Sequence, residues 1–229
     1  MTRVALVTGG SRGLGLALVK ALAARGWQVV TDARGAADLQ TTLGDLQGVE
    51  TIAGDVTDPG HRQALVEAIQ RAGRLDLLVN NASYLGPSPQ PRLEAYPLEV
   101  LRRVYEVNVI APAALVQTLL PVLRESGGTV VNVTSDAGVE GYPGWGGYGS
   151  SKAALEQASR VLAAEEPGLR VFWVDPGDMN TTMHQEAYPG EDISDRPPPA
   201  ESVPGLLKLI EGQYASGRYQ VRELESRES

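Results

Sequence analysis

The 229-residue sequence contains no cysteine. Disulfides, thiolate nucleophiles and cysteine-based zinc sites are therefore excluded, although this absence constrains the cellular compartment only weakly. Lysine is also scarce, and Lys20, Lys152 and Lys208 stand among 20 lysine and arginine residues in total. The two histidines, His61 and His184, have no spacing that indicates a metal pair or a catalytic triad. We therefore predict no metal site and expect both histidines at the surface.

Long apolar runs are missing as well. No run approaches the roughly 20 residues that cross a bilayer, and the first ten residues, MTRVALVTGG, lack the apolar centre of a signal peptide. The formal net charge of -8 disfavours nucleic acid as a partner, because phosphate backbones bind clusters of lysine and arginine. We expect a soluble cytoplasmic protein without nucleic-acid or membrane partners.

Short β-branched runs alternate with segments of helical periodicity, a pattern typical of parallel strands joined by right-handed helical crossovers. Helices on both faces of the sheet also explain why the runs are apolar on both sides. The predicted fold class is α/β, with a single Rossmann-type doubly wound parallel sheet in one domain over residues 1–229. The predicted strands are Val4–Val7, Val29–Thr31, Val49–Ala53, Leu75–Val79, Thr129–Val133 and Val171–Asp175. The predicted helices cover residues 14–22, 64–72, 98–123 with a kink at Pro112, 148–164 and 203–212.

The composition changes near residue 184, where the chain becomes polar and rich in proline and acidic residues. Such a stretch is typical of a long exposed loop, and we predict a substrate loop or lid over residues 183–202, with a merely variable connection as the alternative. A short apolar run at Tyr219–Val221 precedes a flexible tail predicted over residues 223–229.

A glycine-rich segment, TGGSRGLG (Thr8–Gly15), follows the first strand and opens the first helix. Glycine at positions 9, 13 and 15 permits a tight turn and lets backbone N–H groups approach a pyrophosphate at the positive end of that helix. The spacing differs from the common dinucleotide fingerprint, so its place between a strand and a helix carries the prediction. The alternative is an ordinary glycine-rich turn.

The end of the second strand, VVTDARG, bears on which nucleotide binds. Asp32 is one candidate for the acid that holds a ribose 2′-hydroxyl, which would favour NAD. If Asp32 instead lies inside the strand, Ala33 takes the selecting position and Arg34 follows it. Arg12 in the glycine turn is a second basic group that could face a 2′-phosphate. Together the two arginines favour NADP(H) over NAD(H).

The sequence YGSSK places Tyr148 and Lys152 four residues apart. In a helix they are neighbours on one face, about 6 Å apart along the axis. A phenol is a poor base at neutral pH, but an adjacent ammonium would stabilise the phenolate and lower its pKa. Tyr148 could then exchange a proton with an alcohol or a carbonyl. Ser135, at the end of a strand, could hydrogen-bond the same substrate oxygen.

In order along residues 3–182, these motifs resemble the short-chain dehydrogenase/reductase family. The segments TGGSRGLG, GDVT, NNAS, EVNV, VNVTS, YGSSK and PGDMNT are similar to its conserved pattern. Ser83 stands where the family has glycine, and the C-terminal end is shorter. The resemblance implies the catalytic set Asn108, Ser135, Tyr148 and Lys152. It implies cofactor contacts at Gly9, Ser11, Arg12, Gly13, Leu14, Gly15, Arg34, Asp55, Val56, Asn81, Ala82, Tyr148, Lys152, Pro176, Gly177, Met179 and Thr181.

The implied function is NADP(H)-dependent hydride transfer between nicotinamide and a carbonyl or alcohol substrate, with Tyr148 as general acid or base. By resemblance, Lys152 would also hold the nicotinamide ribose and Asn108 would anchor a water leading to Lys152. The family also implies a homodimer or homotetramer packed through the helices that hold Asn108 and Tyr148.

Two other functions stay open: an NADPH-binding sensor without turnover, and an isomerase or dehydratase using the same site. Taken singly, Tyr148 could be a packed aromatic, Asn108 a polar helix residue and Ser135 a strand-end hydroxyl. Four further residues flank the expected substrate pocket and are equally compatible with core packing: Tyr142, Trp145, Met183 and Tyr188. Asp136 has no role derivable from the sequence.

Overall fold

A computed structural model describes residues 2–225. In these residues seven strands form one sheet, all parallel, in the order β3-β2-β1-β4-β5-β6-β7. The doubly wound α/β fold predicted from the sequence is confirmed. The strands are β1 (Val4–Val7), β2 (Gln28–Ala33), β3 (Val49–Ala53), β4 (Leu77–Asn80), β5 (Thr129–Val133), β6 (Arg170–Asp175) and β7 (Gly217–Gln220). The helices are α1 (Gly13–Ala24), α2 (Ala36–Leu43), α3 (Pro59–Ala72), α4 (Leu98–Tyr105), α5 (Ala111–Ser126), α6 (Gly146–Glu165), α7 (Thr182–Ala187), α8 (Val203–Glu211) and α9 (Val221–Glu225).

The apolar core lies on both faces of the sheet, because successive side chains of each strand point to opposite sides. On β1, Ala5 and Val7 pack into one buried cluster with residues of α1, α2 and α8. Val4 and Leu6 pack into the other, with residues of α3 and α5. Burial on both faces explains the continuous apolar sequences of the strands.

Local sequence signals account for several helix ends. At the start of α3, the Asp58 side chain accepts a hydrogen bond from Gly60 N at 2.9 Å, and Pro59 occupies the first turn. Gly26 follows α1 with φ of +76°, and Gly73 ends α3 with φ of +73°, a region in which glycine has no steric penalty. The sequence analysis did not predict α2, whose buried contacts come from Leu39 and Leu43.

The long predicted helix over 98–123 is divided by a π-helical turn at Glu106–Ile110, between α4 and α5. Pro112 therefore follows the π turn directly and lies in the first turn of α5. The kink predicted at Pro112 stays a prediction. The change of winding places Asn108 at its centre, and single π turns are frequent at functional sites.

The helical stretch Leu98–Ser126 is long and apolar enough to cross a membrane by length and composition alone, although we expected no segment of that kind. Helices that pack on a sheet can meet the same criterion. Leu115, Leu119 and Leu123 of this stretch are buried in the core against β4 and β5. These contacts account for the buried apolar residues of the stretch, whereas Leu98 and Ile110 are exposed.

The segment predicted as a loop or lid, residues 183–202, contains most of α7 and a 3-10 turn at Pro199–Ser202. Asn180 N donates to Pro197 O at 2.8 Å, and Ile193 is buried, so the segment is anchored to the rest of the fold. The predicted tail was wrong for residues 223–225, because α9 includes them. Leu224 is buried, and its carbonyl accepts a hydrogen bond from Lys208 Nζ at 2.9 Å. Residues 226–229 lie outside the described residues.

Candidate active site

A crevice of about 1750 Å³ lies along the carboxyl ends of the strands. It crosses the point between β1 and β4 where the strand order reverses, which is where open α/β sheets bind ligands. Typical small-molecule sites measure roughly 300–1,000 Å³, so this crevice has room for a large ligand beside a small one.

The glycine turn forms one wall of the crevice. Gly9 and Gly13 have φ of +74° and +57°, and a Cβ on Gly15 would lie 2.3 Å from Gly9 O. Arg12 precedes α1 without a side-chain cap, so no side chain from this position covers the first N–H groups of the helix. A pyrophosphate fits this cradle. Gly15 itself does not line the crevice, and its contribution is the close packing of the turn.

The side chain of Asp32 holds the glycine turn by a hydrogen bond. It lies inside β2 and is 1% exposed. Its Oδ1 accepts a hydrogen bond from Gly9 N at 2.8 Å, and its Oδ2 lies 2.8 Å from His61 Nε2. Both carboxylate oxygens are therefore engaged by the protein. The expectation that His61 lies at the surface was wrong, because α3 buries its ring beneath Gly54.

Basic residues surround the far end of the crevice. Arg34 follows β2 directly, as the second of the two sequence alternatives requires, and is exposed. Arg12, Lys20 and Arg25 line the same crevice. Asp38 lines the crevice as well and contacts the position of Gly35, so charges of both signs lie near the end of β2.

Two residues were predicted on the adenine side of the coenzyme, and this assignment stays a prediction. Asp55 and Val56 line the crevice beyond β3. Thr57 donates to Asp55 Oδ1 from its N (2.9 Å) and its Oγ1 (2.8 Å), and Arg103 binds Asp55 Oδ2. Burial raises the pKa of Asp55, but these hydrogen bonds and the Arg103 charge outweigh it, so its pKa lies below the ordinary value.

Asn81 and Ala82 join β4 to the glycine turn. Asn81 Nδ2 donates to Thr8 O at 2.8 Å and to Gly9 O at 3.2 Å. The backbone N–H groups of Asn81 and Ala82 both donate to Thr8 Oγ1 at 3.0 Å. These bonds fix the two walls of the crevice relative to each other.

Tyr148 and Lys152 lie in the first turns of α6, and both line the crevice. Lys152 Nζ donates to Val133 O at 2.8 Å and lies 5.4 Å from the centre of the Tyr148 ring. Tyr148 is 8% exposed and Lys152 is 2% exposed. The predicted pairing on one helix face is present.

Burial dominates the proton affinities of this pair. It raises the pKa of Tyr148 to about 12, with Asp175 and Asp136 adding to the rise and a Ser83 hydrogen bond opposing it. Burial also lowers the pKa of Lys152 to about 7. The expectation that Lys152 lowers the pKa of Tyr148 is wrong for the protein alone, because a lysine that readily loses its proton contributes little charge.

Asn108 is 1% exposed and does not line the crevice. Its Nδ2 donates to Tyr84 O at 3.0 Å and to Ser151 Oγ at 2.9 Å. Its Oδ1 accepts from Tyr84 N at 2.8 Å and Ser83 Oγ at 3.2 Å. Asn108 therefore ties the segment after β4 to α6. Its predicted part in a proton relay stays a prediction.

Ser83 is a contributor that the sequence analysis missed. Its hydroxyl donates to Asn108 and also has a side-chain hydrogen bond with Tyr148. The serine in place of the family glycine was visible in the sequence. Its two partners were not, because Asn108 lies in the π turn and Tyr148 in α6.

Ser135 follows β5 at the crevice, as predicted. Its hydroxyl donates to Asp136 Oδ1 at 2.9 Å, and its oxygen accepts from Ala137 N at 3.2 Å. The adjacent Asp136 also lines the crevice. In the sequence, Asp136 was marked only by its position next to Ser135.

The segment after β6 closes the crevice, and the predicted Pro176, Gly177, Met179 and Thr181 all line it. Gly177 N donates to Asp175 Oδ1 at 3.0 Å, and Thr181 Oγ1 accepts from His184 N at 3.1 Å, which caps α7. Asp175, at the end of β6, was not predicted. Burial raises the pKa of Asp175, although Gly177 N and Arg218 oppose that rise.

Aromatic rings surround the substrate end, next to Tyr148. The Trp145 ring centre lies 5.8 Å from that of Tyr148, 5.9 Å from that of Tyr188 and 6.5 Å from that of Tyr142. Met183 also lines the crevice. His184 packs 4.9 Å from Tyr188, and its side chain is only 12% exposed, so its predicted surface position was wrong. Within residues 2–225, no group of three potential metal ligands converges.

Comparisons with known proteins agree with this geometry. The family model described as short chain dehydrogenase matches residues 3–192. The chain belongs to the short-chain dehydrogenase/reductase family. It is therefore an NAD(P)-dependent oxidoreductase that works by hydride transfer.

Two curated members of the family and one solved structure illustrate the similarity. L-fucose dehydrogenase of Rattus norvegicus is 36% identical over 187 residues, which cover 80% of this chain and 68% of that protein. Benzil reductase ((S)-benzoin forming) of Saccharomyces cerevisiae is 36% identical over 198 residues, covering 81% and 75%. A protein from Shigella flexneri, described as a short chain dehydrogenase complexed with NADP, has a TM-score of 0.89 at 30% identity, covering 96% and 97%.

Proposed function

We propose that this short-chain dehydrogenase/reductase uses NADP(H) to interconvert a small carbonyl compound and its alcohol, with Tyr148 moving the proton at the substrate oxygen. One observation carries the proposal. Tyr148 and Lys152 lie one helical turn apart in the crevice that also contains the glycine turn. The coenzyme supplies or accepts the hydride when bound. Tyr148 donates a proton to the substrate oxygen during reduction and removes it during oxidation.

The residues that would hold the coenzyme fit it in two ways. The start of α1 presents an uncapped helix end to a pyrophosphate, and Lys152 lines the crevice beside the segment after β6. The pKa of Lys152, lowered to about 7 by burial, rises if an anionic or hydroxyl-bearing ligand accepts hydrogen bonds from its ammonium form. Coenzyme binding would then charge Lys152 and favour the Tyr148 phenolate.

The preference for NADP(H) rests on charge at the end of β2. Asp32 is buried and bound to Gly9 and His61, so it is a poor candidate for a ribose contact. Arg34 and Arg12 are exposed at the crevice and carry the charge that a 2′-phosphate requires. Dissociation constants for NADPH and NADH, measured by nicotinamide fluorescence, test this preference directly.

Two alternatives make different predictions for one assay. The protein is incubated with NADPH and a panel of ketones, aldehydes and quinones while the nicotinamide absorbance is followed. Oxidation supports the proposed reaction. Binding without oxidation favours a sensor, and conversion of substrate without net change in NADPH favours an isomerase or dehydratase. Ser135, Tyr148 and Lys152 all line the crevice, which supports an enzyme with turnover over a sensor that only binds the coenzyme.

We also propose a homodimer or homotetramer in the cytoplasm, acting on a small molecule without nucleic-acid or membrane partners. Exposed apolar residues support association through α4, the π turn and α6: Leu98, Ile110 and Val161 are 62%, 48% and 45% exposed. Light scattering after size-exclusion chromatography gives the subunit number. Cell fractionation tests the location.

A further inference from the structure

Asp136 is an exposed residue next to Ser135, and its carboxylate accepts hydrogen bonds from three groups. Its Oδ1 accepts hydrogen bonds from Ser135 Oγ at 2.9 Å and from Ala137 N at 2.8 Å. Its Oδ2 accepts one from the Tyr142 phenol at 3.0 Å. Three donors therefore fix the carboxylate at the substrate end of the crevice. The proposed proton transfer gives this residue no part.

The contact with Asp136 decides what Ser135 can offer a substrate. A serine hydroxyl has one proton to donate, and here it goes to a carboxylate, which makes the stronger, charge-assisted kind of hydrogen bond. The Ser135 oxygen keeps acceptor capacity. A substrate hydroxyl other than the reacting one can donate to it without disturbing this arrangement, whereas a ground-state carbonyl must compete with Asp136 for the proton.

Negative charge extends over the substrate end. Burial raises the pKa of Tyr148, and Asp175 and Asp136 raise it further. The pKa of Tyr188 is likewise raised by burial first and then by Asp178 and Asp136. Asp136 therefore acts on both phenols, and an anionic substrate placed between them would experience its field too.

The cations near these carboxylates are already engaged. Arg196 Nη1 binds Asp195 at 2.5 Å, and Arg218 Nε binds Glu156 at 3.0 Å. Lys152 has a pKa lowered to about 7 by burial and donates to a backbone carbonyl. Arg218 and Lys152 therefore present no unshared charge to a substrate anion. Arg196 opposes the carboxylates more directly, because its charge lowers the pKa of Tyr188.

The walls at this end are ring faces and edges. Trp145 contacts Tyr142, Tyr148 and Tyr188 in a cluster with centre-to-centre distances of 5.8 to 6.5 Å. Such walls suit a ring-shaped substrate, either aromatic or saturated with C–H groups on its face. A carboxylate among them adds an acceptor for substrate hydroxyl groups, which an aromatic hydrocarbon surface lacks.

We propose that Asp136 is a specificity-determining residue, and that the substrate end takes an uncharged, hydroxyl-bearing cyclic compound of the sugar or polyol class and rejects carboxylates and phosphates. This inference rests on the proposed function and names its substrate class. Asp136 acts through Ser135 and through its own charge. The proton at the reacting oxygen still moves through Tyr148.

The test compares neutral sugars with their charged counterparts. Oxidation of a panel of pentoses and hexoses with NADP⁺ is measured beside the uronic acid of matching stereochemistry for each hexose. Wild-type protein should show kcat/KM about tenfold or more in favour of the neutral partner, since a like charge is disfavoured at short range. Asp136→Asn and Asp136→Ala should bring this ratio towards one, with the NADPH dissociation constant unchanged. Glu99→Gln, an exposed carboxylate on α4, is the matched control.

Each other outcome has a definite meaning. Equal use of neutral and anionic sugars by the wild type, or a ratio unchanged in both Asp136 variants, overturns the role of Asp136. Turnover of a diketone such as benzil without turnover of any sugar overturns the substrate class while the proposed reaction stands. Absence of turnover with every compound, despite NADPH binding, removes the proposed function and this inference with it. Should both variants lose NADPH binding through misfolding, the wild-type ratio decides.

Discussion

Lys152 Nζ lies 5.4 Å from the centre of the Tyr148 ring and donates a hydrogen bond to Val133 O. The two side chains share a helix face, but each is buried deeply enough to favour its neutral form. Burial lowers the pKa of Lys152 to about 7 and raises that of Tyr148 to about 12. Tyr148 is therefore a poor base at neutral pH in the protein alone, and it depends on a bound ligand to become one.

The buried lysine predicts a particular dependence of stability on pH. The pKa of Lys152 is about 7 in the folded protein and near 10.5 when unfolded, so the unfolded chain binds more protons between these values. The resulting penalty is full below pH 7 and disappears as the pH rises to about 10.5. Lys152→Met should therefore stabilise the coenzyme-free protein most at low pH, and the gain should decline by about 1.4 kcal/mol per pH unit across that window.

Urea unfolding of Lys152→Met and wild type at pH 6 and pH 9 measures this difference. Lys20→Met, which removes an exposed lysine, provides the control. A gain from Lys152→Met that is equal at both pH values would contradict the lowered pKa.

The contact between Asp32 and His61 predicts how Asp32 affects coenzyme binding. Asp32→Ala removes the acceptor of Gly9 N–H and leaves two buried polar groups without their partner. We expect a loss of about 1–3 kcal/mol in the free energy of unfolding and weaker binding of NADPH and NADH by similar factors. His61→Ala should lower the free energy of unfolding and weaken the binding of both coenzymes in the same way, but by smaller amounts. A selective loss of NADH in fluorescence titrations would show instead that Asp32 contacts the ribose.

Substitution of Arg34, unlike that of Asp32, should weaken the binding of NADPH selectively. Arg34→Gln removes a positive charge at the end of β2, where a 2′-phosphate would bind. We expect NADPH to bind about 10–100-fold more weakly, because hydrogen bonds to charged groups contribute roughly 1.5–3 kcal/mol. NADH binding should change little. Arg92→Gln, an exposed arginine away from the crevice, is the control, and equal weakening of both coenzymes would contradict the assignment.

Ser83 predicts a shift in the pH dependence of catalysis. Its hydrogen bond opposes the rise that burial imposes on the pKa of Tyr148. Without it, in Ser83→Gly or Ser83→Ala, the pKa of Tyr148 should rise further, and the pH profile of alcohol oxidation should move to higher pH. Ser150→Ala, whose hydroxyl bonds to Gly147 O on the exposed side of α6, should leave the profile in place. A lower pH optimum in the Ser83 variants would contradict the proposal that Ser83 lowers the pKa of Tyr148.

Much of the fold could be predicted because its signals are local. Apolar runs predicted six strands of the sheet, and Gly26 follows the end of α1. The start of α3 at Pro59 was not predicted, because the apolar periodicity of that helix was recognised only from residue 64. Helix α2 was missed because its short sequence has only Leu39 and Leu43 as buried apolar residues. The π turn at Glu106–Ile110, just before Pro112, was also not predicted.

The site was predictable where residue order alone carried information. Ser135, Tyr148 and Lys152 came from motifs, and the structure brings all three to the crevice. The burial of His61 could not be predicted, because it depends on pairing with Asp32, which is 29 residues away in the sequence. The raised pKa of Tyr148 also required the three-dimensional structure, because burial and carboxylates from separate strand ends produce it together.

The most direct test of the account is the rate of coenzyme oxidation by Tyr148→Phe. With one carbonyl substrate that the wild type reduces, and with NADPH saturating, kcat should fall by about 10²–10⁴-fold because the proton donor is lost. The NADPH dissociation constant should stay near that of the wild type, and Tyr214→Phe, outside the crevice, should retain full activity. A Tyr148→Phe protein that turns over at the wild-type rate would contradict the proposed role of Tyr148.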